Sequence, residues 1–104
     1  MSIPLLLDAM YTELDELLLS FRYDEARQRI LAYATEDHPL AVLLGVIVIT
    51  NPWRDQLREA RHEVFMRVLQ VAHDLGGEAK VAEVSRFLSG MHLGLEPESV
   101  GDSE

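Results

Sequence analysis

Every residue from Pro39 to Ile49, PLAVLLGVIVI, lacks a side chain that is charged or can form a hydrogen bond. A chain carrying such a run must thread a membrane, bury it in a core, or press it against another protein. As a helix, residues 39–50 extend only about 18 Å at 1.5 Å per residue, well short of the ~30 Å hydrocarbon layer of a bilayer. The VIVIT portion has strand propensity, but no second strand-like run is present to pair with it. The run is therefore predicted to be a short helix, apolar on all sides and buried.

The rest of the chain has to supply what covers it. With 104 residues, 48% of them apolar and 26% charged, the composition fits one globular domain able to bury about two-thirds of its unfolded surface. Eighteen acids against nine bases give a net charge of −9, which argues against non-specific binding to nucleic acid or anionic membrane. Cysteine is absent, which excludes disulfides and thiol chemistry. The opening MSIPLLLDAM has no basic residue before its apolar run, and Asp8 interrupts it. It does not read as a signal peptide, so a cytoplasmic location is expected.

Helical periodicity accounts for most of the remainder. Ile3, Leu7, Met10, Leu14, Leu17 and Phe21 recur at alternating spacings of 4 and 3, placing them on one face of a helix over residues 3–21. Leu5, Leu6, Tyr11, Leu18 and Leu19 fall outside that stripe. In a second helix, Asp24 and Glu25 complement the positive end of the dipole, with Ala26, Ile30 and Tyr33 facing inward. After the apolar run, Asn51 and Pro52 have the chemistry of a helix start. Trp53, Leu57, Ala60, Val64, Val68, Val71 and Leu75 line one face of the fourth helix, widened by Phe65, Leu69 and Ala72. Gly76 and Gly77 are a stop signal. A fifth helix over 78–89 would direct Val81, Val84, Ser85 and Leu88 inward. Residues 1–90 thus read as a single helical domain, a five-helix bundle or stacked helical hairpins. Residues 91–104, rich in glycine and acids, read as a flexible acidic tail.

The stretch from Met10 to Asp37 resembles one unit of the tetratricopeptide repeat (TPR) family. Tyr23 to Ala26, YDEA, match that family's turn and second-helix start. Ile30 and Tyr33 follow at its packing spacing, and an Asp shortly before a Pro closes the unit. Leu14 stands where the family places a small residue, and no second copy follows. The resemblance implies helical hairpins and a groove for a protein segment, as in small TPR-like chaperones.

Few residues suggest chemistry. Glu59 and His62 have the E-x-x-H spacing of one half of a di-iron site, which would need a second such pair; His62, Met66, Leu69 and His73 instead fall along a helix edge. No nucleophile–base arrangement and no phosphate-binding glycine loop is present, so no catalytic residue, cofactor or metal is assigned. Residues 71–90 offer a helix-turn-helix alternative, with only Lys80 and Arg86 as bases in its second helix against Glu78 and Glu83. Arg54, Arg58 and Arg61 form a basic stripe that could meet acids on a partner. The apolar content exceeds what a single face of each helix can hide, and surplus of this kind marks interfaces. The expectation is a non-enzymatic interaction module, an adaptor or small chaperone. Its partner would be a second copy or another protein's amphipathic helix, contacted through Leu5, Leu18, Leu19, Trp53, Arg54, Arg58 and Arg61.

Overall fold

A computed structural model describes residues 3–90; the tail expected over 91–104 lies outside them. Four helical elements follow in order: α1 (Ile3–Leu19), α2 (Tyr23–Thr35), α3 (Leu40–Thr50) and α4 (Arg58–Gly90). A single 3₁₀ turn, Asn51–Trp53, joins α3 to α4. Among the described residues there is no strand, so the apolar run adopts the helical alternative. No helix in this span is long and apolar enough to cross a membrane.

Composition makes α3 the centre. Val42, Leu43, Gly45, Val46 and Ile47 are buried along it, each large side chain stabilising the fold by about 1.5–3 kcal/mol through removal from water. One flank packs on α1 and the other on α4; α4 packs on α2, and α2 returns to α1. This ring of helices is 36 × 34 × 20 Å, its short dimension being two helix diameters of roughly 10 Å. Gly45 permits the close approach of α3 to α1, because a Cβ there would lie 2.8 Å from Met10 Cε and 2.9 Å from Leu7 Cδ2.

In α1 the fully buried line is Met10, Leu14 and Leu18, rotated slightly from the predicted stripe. Ile3 and Phe21, expected inward, are exposed. α1 and α2 pair as a generic helical hairpin, with Leu14 fully buried. Arg29 Nε donates to Glu13 Oε1 at 2.8 Å, tying the two helices together. Arg67 of α4 donates to Asp37 Oδ1 at 3.0 Å in the α2–α3 loop.

The start of α4 differs from expectation. Asn51 is no N-cap: at φ −58°, ψ −39° it continues the right-handed helical path of α3, whereas an N-cap needs extended backbone. Pro52 sits in the 3₁₀ turn, where its missing N–H leaves no bond unmade. Further on, α4 is interrupted where the glycines predicted a stop. Gly77 has φ 67° and ψ −155°, a region that essentially only glycine enters. Beyond the break Val84 and Leu88 are buried, while Ser85, expected inward, is exposed.

Candidate functional site

The residues singled out in sequence do not assemble into one surface. Leu18 is fully buried and belongs to the core, because α1 turns the Met10–Leu14–Leu18 line toward α3. Arg61 is also removed from the expected basic stripe, being only 5% exposed. Its position follows from α4 itself: Leu57, Arg61, Phe65, Val68 and Ala72 recur at spacings of 4, 4, 3 and 4 and are all buried.

What Arg61 does there is structural. The last turn of α3 tightens, so that Asn51 N–H donates to Val48 O and the Ile47 carbonyl loses its usual partner. Arg61 Nη2 donates to Ile47 O at 3.0 Å, and its Nε donates to Thr50 Oγ1, also at 3.0 Å. Thr50 in turn donates its hydroxyl to Val46 O at 2.6 Å. The guanidinium carbon lies 5.5 Å from the Phe65 ring centroid. A cation is therefore held at the negative end of the α3 dipole, where its donors satisfy orphan carbonyls. Burial, with a smaller contribution from Arg54, lowers its pKa to about 10, which still leaves it charged at neutral pH.

The other two arginines are exposed and locally engaged. Arg54 Nη1 donates to Asn51 O at 3.0 Å, and Arg58 pairs with Asp55 at 3.9 Å. Trp53 is half-buried and packs against the core. A stripe of three arginines facing a partner is thus reduced to two exposed ones beside a tryptophan edge.

A different surface emerges on α1. Leu5 is 60% exposed and Leu19 67%. With Ala9, Thr12 and Glu16 they recur at spacings of 4, 3, 4 and 3, all exposed, and so form the helix face opposite Met10, Leu14 and Leu18. Asp8 and Asp15 flank this stripe. Glu13, the remaining acid of α1, is drawn to the α2 side by Arg29 and also accepts from Tyr33 Oη at 3.4 Å. Burial raises the Tyr33 pKa and Glu13 adds to the shift, while the ion pair with Glu13 raises that of Arg29.

Phe21 completes this surface, and the sequence reading missed it. α1 ends in a Schellman motif: Arg22 N–H donates to Leu17 O at 2.9 Å and Phe21 N–H to Leu18 O at 3.1 Å. That motif needs one left-handed residue, usually glycine. Here it is Phe21, at φ 60°. The residue is 75% exposed, and its ring meets Tyr23 edge-on with centroids 6.3 Å apart. The available signal was the absence of glycine between two helices separated only by Ser20, Phe21 and Arg22, which forces a side-chain-bearing residue into the turn.

His62, Met66 and His73 lie exposed along one edge of α4, and no group of three or more metal-ligating side chains occurs among the described residues. In the 71–90 segment Lys80 faces Glu83 at 3.5 Å, and Arg86 is exposed beside Phe87. Comparison with protein-family models, curated proteins and solved structures gives no match.

Proposed function

We propose that this protein is a small helical interaction module, an adaptor or chaperone rather than a catalyst, which docks an amphipathic helix of another protein. The supporting observation is Phe21. A non-glycine residue in left-handed geometry costs about 1–2 kcal/mol, and an exposed aromatic ring recovers little of that through packing. Strain of this kind collects at binding sites, where the side chain is needed for something other than stability. Together with Leu19 it places adjacent apolar groups in water at the end of α1. The TPR likeness of residues 10–37 points the same way, toward a helical hairpin that receives a protein segment.

Phe21→Gly tests this reading. Relief of the left-handed strain, less the larger unfolded-state entropy of glycine, should stabilise the chain by about 0.5–1 kcal/mol. The same change should abolish capture of the partner that the wild-type chain retains from its native cell. A variant that is more stable and captures the same proteins, with the same solution mass by light scattering, would remove Phe21 and this function together.

A further inference from the structure

The exposed face of α1 also indicates what kind of helix it receives, an inference that rests on the interaction-module reading. The face is apolar at its ends and acidic between them. Leu5 and Leu19 are separated by four helical turns, about 21 Å at 1.5 Å per residue, with Phe21 just beyond. Asp8, Asp15 and Glu16 lie between the leucines, and none of the three forms a salt bridge among the described residues. The nearby bases form their ion pairs elsewhere, Arg22 with Glu25, Arg27 with Asp24 and Arg29 with Glu13, and Arg22 also feels the charge of one of the three acids, Glu16.

This charge pattern discriminates among the possible occupants. A second copy packed antiparallel, with its Leu19 against Leu5, necessarily sets its Glu16 against Asp8. A parallel pairing sets Asp8 against Asp8. In both cases carboxylates from the two copies are driven together with no base ion-paired to either, Arg22 being paired with Glu25, which is destabilising as the interface loses water. The chain's own segment beyond residue 90 carries Glu96, Glu98, Asp102 and Glu104 with no Lys or Arg, so it is repelled by the same face. An anionic lipid surface is excluded on the same ground.

We propose that the Leu5–Phe21 face of α1 docks a cationic amphipathic helix from a different protein. Apolar side chains of that helix, four turns apart, meet Leu5 and the Leu19–Phe21 pair. Its Lys or Arg residues between them face Asp8, Asp15 and Glu16. Apolar contact supplies affinity, and the charges fix register and reject a second copy of this chain.

The test uses the full chain and a synthetic helical probe with leucines four turns apart and three lysines between, followed by fluorescence anisotropy. A second probe carries glutamates in place of the lysines. The lysine probe should bind and the glutamate probe should not. Asp8→Asn with Asp15→Asn and Glu16→Gln should weaken the lysine probe about tenfold, in line with three exposed charge pairs. Leu5→Ser with Leu19→Ser should weaken it by at least as much. Raising salt should reduce wild-type affinity and leave that of the charge-neutral variant nearly unchanged. Equal binding of both probes, no binding of the lysine probe, or α1 variants within about twofold of wild type would overturn the proposal. The Phe21→Gly capture experiment reports separately on the broader reading, since a partner without lysines or arginines would still be lost from that variant.

Discussion

Arg61→Ala should unfold the junction between α3 and α4 rather than disarm a binding surface. The side chain holds three acceptors: Ile47 O and Thr50 Oγ1 at 3.0 Å, and Asn51 Oδ1 at 3.4 Å. Thr50 keeps its own bond to Val46 O, so its loss is small. Ile47 O is the costly one: the tightened α3 terminus takes the Asn51 N–H to Val48 O, and the Thr50 hydroxyl reaches Ile47 O at a long 3.4 Å. A buried carbonyl left without a good partner costs about 1–3 kcal/mol. The Arg61 stem and its position over Phe65 add about 1 kcal/mol of lost packing. Removing a cation that burial disfavours offsets part of this, for a net loss of about 2 kcal/mol. For a urea dependence of about 1.5 kcal/mol per molar, the unfolding midpoint should fall by about 1.3 M, followed by far-UV circular dichroism and Trp53 fluorescence. Arg61→Met, which restores volume but no donor, should fall between alanine and wild type. A midpoint within about 0.3 M of wild type for Arg61→Ala, combined with loss of a partner, would refute this reasoning and return Arg61 to the partner-binding stripe that the sequence suggests.

Gly77→Ala should destabilise by about 1–3 kcal/mol in the same urea assay, because alanine cannot enter the φ 67°, ψ −155° region without strain. Leu14→Ala should cost about 3 kcal/mol, as expected for a fully buried leucine replaced by alanine. Glu25 should titrate below the ordinary carboxylate range by carboxyl NMR, since its hydrogen bond with the Arg22 guanidinium favours the charged form. A depressed folded-state pKa contributes stability above the usual glutamate range that is lost as pH falls through the folded value, and Arg22→Ala should return the Glu25 titration to normal.

The apolar run, the two acids opening α2, and the glycine break in α4 were legible because each rests on local chemistry: side-chain polarity, the helix dipole, and backbone freedom. The boundary at Asn51 was not. Asn-Pro is a good start signal by composition, yet the helical path of α3 continues through Asn51 because Thr50 and Arg61 hold its last turn, and Arg61 belongs to the first turn of the next helix. That interaction joins residues eleven positions apart, beyond any local pattern. The role of Arg61 was nevertheless within reach, since its spacing from Leu57 and Phe65 puts it on the buried line. Three arginines at helical spacing suggest a solvated stripe, but the apolar periodicity is the stronger signal. Phe21 departs for the converse reason: its spacing continues the apolar stripe, but α1 ends at Leu19, and where the chain reverses the spacing argument no longer applies.

The same placement changes what the apolar surplus means. Val46 and Ile47 are fully buried and Val48 and Ile49 pack against the core, so α3 is consumed within the single chain, and Leu6 and Leu18 join it. What stays in water on α1 is the outer line through Leu5 and Leu19, together with Phe21. A chain selected for stability alone would place lysine or glutamate at the outer positions and glycine in the turn, each change solubilising or relaxing the fold. The acids it does carry on that line lie between the apolar residues rather than replacing them. On the docking proposal, the apolar ends make the face adhesive and the carboxylates between them keep it from adhering to itself. Neutralising Asp8, Asp15 and Glu16 should therefore promote self-association as it weakens cationic helices, and sedimentation of the amide variant across concentrations would show the shift from monomer toward dimer. A variant that loses the lysine probe and remains monomeric at every concentration would mean that the leucines contribute too little to hold any partner, and that charge alone carries the contact.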